Sequence, residues 1–212
     1  MSAKRIGIAA TFEDVITQSD SVTGRVAIYR NDVSSNIYRL LSENLNGYDA
    51  PKPTYGNLAG YYTQGFEAEL YYDSERFFGS IAYSRVQGKH DGTLKNVASD
   101  TDQYVSEVAP TKLVVSLGYK VPEADITFGW KGRFVDAQDR VPDNYTSLYS
   151  ASKGYAVHDV FLTWTPQEGR FAGVEARASI ENMFNRNYRP YFADGAAPEK
   201  GVNFKSSVSY KF

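Results

Sequence analysis

The sequence predicts an all-β chain, an antiparallel up-and-down transmembrane β-barrel, and three observations predict it. Apolar residues recur with a period of two in about nine segments, each near the length a tilted membrane strand requires. The joins between those segments alternate short and long, and the charged residues share the parity opposite the apolar ones. A two-residue period is the mark of a strand, because successive side chains point to opposite faces of a sheet. The other two observations bear on whether the apolar face meets lipid or a soluble core.

The segments follow in order. In KRIGIAATFE, Ile6, Ile8, Ala10 and Phe12 oppose Arg5, Gly7, Ala9, Thr11 and Glu13; in SVTGRVAIYRN, Val22, Val26 and Ile28 oppose Thr23, Arg25 and Asn31. YTQGFEAELYY sets Phe66, Ala68, Leu70 and Tyr72 against Gly65, Glu67 and Glu69. FFGSIAYSRV sets Phe77, Ile81 and Tyr83 against Ser80, Ala82 and Ser84. Leu113, Val115, Leu117 and Tyr119 continue the pattern in TKLVVSLGYK, as do Ile126, Phe128, Trp130 and Phe134 in ITFGWKGRF, whose other face carries Lys131 and Arg133. VHDVFLTWTP puts Val160, Leu162 and Trp164 opposite Asp159, Phe161 and Thr163, and GVEARASIEN puts Val174, Ala176, Ala178 and Ile180 opposite Glu175, Arg177, Ser179 and Glu181. The terminal GVNFKSSVSYKF closes the series, with Val202, Phe204, Val208, Tyr210 and Phe212 on one face.

TQSD, DSER, VPEAD and PQEGRFA read as tight turns, whereas residues 34–60, 87–110, 135–154 and 183–199 read as long polar loops. Short turns therefore share one rim and long loops the other, the asymmetry of outer-membrane barrels. The last strand then runs toward the short-turn, periplasmic rim, which places Phe212 there. Glu67, Glu69, Lys131, Arg133, Glu175 and Arg177 are expected to face the lumen. On the lipid face a mid-plane Arg or Lys costs about 2–4 kcal/mol, so this parity is under strong constraint. A soluble sandwich with a solvated outer face is the competing reading.

Composition excludes more than it identifies. A formal net charge of -2 gives no electrostatic footprint for nucleic acid. The absence of cysteine excludes disulfides, zinc–thiolate sites and thiol catalysis. Mean hydropathy of -0.45 does not argue against a barrel, since lumen- and lipid-facing residues alternate. No apolar run approaches the length of about 18 residues that a transmembrane helix needs, and MSAKRIGIAATF has no signal-peptide h-region. With 17 Tyr and 12 Phe, the aromatic skew suits strands and a membrane interface alike.

The runs RIGIAATFEDV, GRVAIYRNDVSSNI and GYYTQGFEAELYYDS, with IENMFNRNYRPY and GVNFKSSVSYKF, resemble the C-terminal barrel of TonB-dependent outer-membrane receptors. The similarity is nearest to the branch that takes up heme and hemoglobin, or transferrin and lactoferrin, and it covers almost the whole chain. The resemblance implies active import of heme or another iron source, with an extracellular heme or iron-carrier protein and outer-membrane lipid as partners. It implies a barrel of about 22 strands, of which this chain would supply the last nine or so. An N-terminal plug and the remaining barrel would then lie outside the chain, and the TonB energy-coupling complex would be reached only through them. Residues 1–212 are accordingly expected to be a C-terminal barrel portion, inactive alone. Val208, Tyr210 and Phe212 resemble the terminal signal read by the outer-membrane assembly machinery.

His90 in VQGKHDG, and Tyr145 and Tyr149 in DNYTSLYS, are candidate ligand residues in long loops. A neutral imidazole or a phenolate can bind heme iron. His158 shares parity with Val160, Leu162 and Trp164, so it is expected to face headgroups rather than ligate. No resident cofactor or metal site is expected, heme or an iron complex being cargo. No nucleophile accompanies the carboxylates, so the chain is not expected to be an enzyme. A complete small barrel acting as a passive pore or adhesin stands as the alternative.

Overall fold

The computed structural model describes residues 3–15, 20–34, 36–41, 53–58, 60–90, 104–105, 107–141, 151–193 and 198–211. The strands are β1 Ala3–Val15, β2 Ser21–Val33, β3 Asn36–Leu41, β4 Pro53–Leu58, β5 Tyr61–Asp73 and β6 Phe77–His90, then β7 Lys112–Val121, β8 Ile126–Val135, β9 Tyr155–Trp164, β10 Val174–Glu181 and β11 Asn203–Tyr210. Nine of them form one sheet in the order β1-β2-β5-β6-β7-β8-β9-β10-β11, every neighbour antiparallel. This is an up-and-down meander. Two departures from the sequence reading stand out. The connection over residues 34–60 contains a hairpin, β3 with β4, in register from Asn36↔Leu58 to Leu41↔Pro53. And β6 runs on to His90, because β5 pairs with it as far as Tyr61↔His90 while β7 accompanies it only to Ser84↔Lys112.

Register puts all the apolar stripes on one face. Ile8, Ile28 and Phe66 form one cross-strand row and Leu117, Trp130 and Val160 another. Ile8 is 71% exposed and Phe204 73%, so none of the described residues covers this face there. What is buried lies largely on the other side: Ala27, Val33, Val135 and Val157 share the parity of the charged residues. A soluble sandwich buries its apolar face instead, and an uncovered stripe of this extent marks a surface that meets lipid. Strands of ten residues such as β8 and β9, at about 3.3 Å per residue and a tilt of about 40°, rise about 25 Å, the height of a barrel's apolar band. Aromatic clusters bracket that band. Phe77 and Tyr119 (4.8 Å) and Trp164 and Phe171 (5.7 Å) lie toward the short-turn rim. Trp130, Phe134 and Phe184 surround His158 toward the other.

Several aromatic rings also lie over glycines directly opposite them in register, Tyr29 over Gly65 and Phe161 over Gly129 among them. A Cβ on Gly65 would sit 2.5 Å from Tyr29 Cζ, so the ring occupies space that only glycine leaves.

The short-turn rim is knit by charge. Lys120 Nζ donates to Asp73 Oδ1 at 2.5 Å and to the Ser74 carbonyl at 2.9 Å, and Arg76 forms an ion pair with Glu123. The Arg76 guanidinium holds the exposed Glu123 carboxyl below the usual carboxylate range. Asp125, in the left-handed region at φ 55°, closes the turn into β8 with its carbonyl accepting from Thr165 N at 2.9 Å.

Candidate ligand-facing site

The charged residues share the polar face of the sheet from β5 to β10. Glu67, Glu69, Lys131, Arg133, Glu175 and Arg177 all lie on the face opposite Ile28, Phe128 and Leu162. They do not form one cluster. Glu67 accepts from the Tyr29 hydroxyl at 3.4 Å, while Arg177 is paired with Glu175 two residues along its own strand. Lys131 stands beside Asp159 in register. Arg133 buries its Nε with no hydrogen-bond partner among the described residues.

Sequence reasoning missed the segment that roofs this face. After β10 the chain turns at Asn182 (φ 50°) and Asn185 (φ 52°), residues that tolerate the left-handed region because a short polar side chain can bond locally. Asn182 is 4% exposed and acts as a hub. Its backbone N–H donates to Asp159 Oδ1 at 2.8 Å, its Oδ1 accepts from Arg186 N at 2.7 Å, and its Nδ2 donates to the carbonyls of Arg186 (2.9 Å) and Lys200 (3.1 Å). Phe184 consequently falls outward beside His158 (5.1 Å), and Tyr188 inward, stacked on Tyr155 at 4.3 Å. Burial pushes the Tyr188 phenol up, with Arg133 pulling the other way. The Asn pair in IENMFNRNYRPY was the available signal, since two turn-forming Asn three apart mark a tight reversal.

Under this roof lies a cavity of about 570 Å³ lined by Lys112, Lys131, Arg133, Lys200 and Lys205 on the cationic side and Asp159, Glu181 and Glu199 on the anionic side. Lys205 Nζ donates to Glu181 Oε1 at 2.6 Å and Asn203 Nδ2 to Glu181 Oε2 at 3.1 Å, which occupies that carboxylate. The surplus of cations makes the cavity attractive to carboxylate-bearing or other anionic ligands. A larger open trough, about 1290 Å³, includes Ile81, Leu117, Phe128 and Leu162; these belong to the uncovered apolar face, so we read it as acyl-chain contact and not as a ligand site.

His90 is the last residue of β6, not a loop residue, and sits on the polar face at the long-loop rim with its ring edge-on to Tyr61 at 5.8 Å. Beside it, Val105 N donates to the Gly88 carbonyl at 3.0 Å, and Gln138, 1% exposed, donates from Nε2 to the Val108 carbonyl at 2.7 Å. Pieces of two long connections are thus folded over that rim. Tyr145, Tyr149 and Phe212 lie outside the described residues. Val208 and Tyr210 lie on the apolar face of β11, both well exposed. Among the described residues no group of His, Asp and Glu is arranged to hold a metal ion.

Comparison with known proteins follows the same lines. The family described as TonB dependent receptor-like, beta-barrel matches residues 6–183. The chain is 36% identical to TonB-dependent heme receptor A of Haemophilus influenzae over 98% of its own length and 29% of that protein's. It is 27% identical to heme/hemopexin utilization protein C of Haemophilus influenzae, over 99% of the chain and 28% of the relative. Among solved structures, the copper transporter OprC superposes with a TM-score of 0.73 at 16% identity, covering 99% of this chain and 31% of that one. The chain thus spans less than a third of the length of these relatives.

Proposed function

The chain belongs to the TonB-dependent receptor β-barrel family, and on that premise we propose that it forms one sector of the wall and outer vestibule of a receptor for active uptake of heme or another iron source. It is an outer-membrane protein of a Gram-negative cell, a transporter component and not an enzyme. The observation that carries the cargo is the 36% identity to a heme receptor along nearly the whole chain. The cationic cavity under Tyr188 supports the same reading, because heme presents two carboxylates. His90, at the rim where cargo would first arrive, is the ligand residue we favour.

The nine strands act as a sector because, among the described residues, β1 and β11 each have a neighbour on one side only. In lipid an unpaired strand edge leaves N–H and C=O groups unsatisfied at several kcal/mol each, so further strands must flank both edges. Energy from a TonB complex would enter through the plug of the assembled receptor.

A heme-auxotrophic host lacking its own receptors tests this. It would carry the chain alone, or the chain with the N-terminal portion of the Haemophilus influenzae relative. Growth on heme is expected only with both. Growth with the chain alone would refute the sector reading, and no growth with both halves assembled at the surface would refute the heme reading.

A further inference from the structure

We propose that the apolar, outward face of the sheet carries a binding site for the phosphate-bearing headgroup of an outer-leaflet lipid, at the long-loop rim across β2, β5 and β6, with Arg85 as its principal cation. The proposal rests on outer-membrane placement and is independent of the cargo.

Arg85 has lipid-facing parity. It follows Ile81 and Tyr83 on the same face of β6 and stands in one register row with Phe66 and Ile28. A cleft of about 310 Å³ opens there, with Ile28 and Phe66 as an apolar wall and Gln64, Arg85 and Gln87 as a polar one. In the orientation its neighbours favour, the Gln87 amide oxygen accepts from Arg85 Nη2 at 3.1 Å and from Arg140 Nη1 at 3.3 Å. Two guanidinium groups therefore converge on one neutral oxygen, and neither is paired with a carboxylate among the described residues. Other cations on this face are differently placed: Arg30 is bound to Asp32 and lies over the Tyr62 ring at 4.1 Å, and Lys89 lies over Tyr104 at 5.0 Å.

Depth selects the ligand. An Arg of this parity costs about 2–4 kcal/mol at mid-bilayer and about 0–1 near the interface, so Arg85 belongs at headgroup level. A phosphate there offers the planar, multidentate acceptor that a guanidinium fork matches, with more charge than the Gln87 oxygen. A free anion would leave the exposed Ile28 and Phe66 wall without a role. A lipid uses both walls, its acyl chain against Ile28 and Phe66 and its phosphate between Arg85 and Arg140.

The protein would be isolated from outer membranes in whatever assembly it occupies. It would then be transferred to phosphatidylcholine vesicles containing diphosphoryl lipid A, or lipid A stripped of phosphate. Native mass spectrometry then counts retained glycolipid. We expect phosphate-dependent retention, weakened about fivefold by Arg85→Gln and again by Arg140→Gln. Arg25→Gln, on the polar face, should leave retention unchanged, and Arg85→Lys should fall between. Millimolar inorganic phosphate should not displace the lipid. Equal retention of the stripped lipid, equal retention by the doubly substituted protein, or displacement by inorganic phosphate would each overturn the proposal. The two wild-type arms decide it even if a variant fails to fold.

Discussion

Phe128 and Thr127 are neighbours in β8 and face opposite sides of the sheet, Phe128 beside Leu162 and Tyr119, Thr127 beside Thr163 and Lys120. That alternation turns one residue of displacement into a change of solvent. Phe128→Arg would place a charge on the apolar face in the row of Phe77 and Tyr119, toward the short-turn rim, at a cost between the about 0–1 kcal/mol of the interface and the about 2–4 kcal/mol of the mid-plane, whereas Thr127→Arg would stand on the polar face. Impaired assembly for the first and near-normal assembly for the second is the expected outcome, read from heat-modifiable migration of membrane fractions. Equal effects would contradict the face assignment. Phe128 was legible from the sequence because parity is a local property of a strand. Asn182 was not, because its importance lies in partners 4 and 18 residues away.

Among the elements, the connection from β10 to β11 departs most from an open loop. One buried amide holds its two ends, so Asn182→Ala would leave the Arg186 N–H and two carbonyls without their partner. The cost is about 1–3 kcal/mol. The strand pairing β10–β11 does not depend on it, so the loss should be local. Limited trypsin digestion is expected to cut after Arg186 in the variant while wild type resists. Cleavage at the same rate in both would show that Asn182 does not hold the roof. The β3–β4 hairpin and the extension of β6 to His90 make the same point about elements: a strand ends where its partner ends, and β5 carries β6 six residues beyond the reach of β7.

At the scale of the whole molecule the sheet is inside out relative to a soluble protein, with its apolar stripe exposed and its charges on the opposite face. Both tryptophans lie on the uncovered face, Trp130 in mid-strand and Trp164 at the short-turn end of β9. In lipid vesicles, tails brominated near their ends should quench Trp130 more than Trp164, and tails brominated near the headgroup should reverse that order. Single-tryptophan variants, Trp164→Phe and Trp130→Phe, separate the two signals. Absence of quenching in a protein soluble without detergent would contradict the barrel.

The sequence by itself determined the nine strands of the main sheet, their faces and the sorting of short and long connections, though not the β3–β4 hairpin or the full length of β6. A period of two, a run of charges on one parity and the spacing of turn residues are all readable within ten residues. The resemblance carried by IENMFNRNYRPY and GVNFKSSVSYKF added the family that the comparisons establish. Only the tertiary structure decided how the irregular segments lie: the roof of Asn182, Tyr188, Pro190, Glu199 and Lys200 over the cationic cavity, the position of His90 at a strand end, and the meeting of Arg85 with Arg140 at Gln87. Those contacts join polar residues far apart in the chain. Polar segments have no hydrophobic period to announce their partners, so their placement waits until the sheet has brought the partners together.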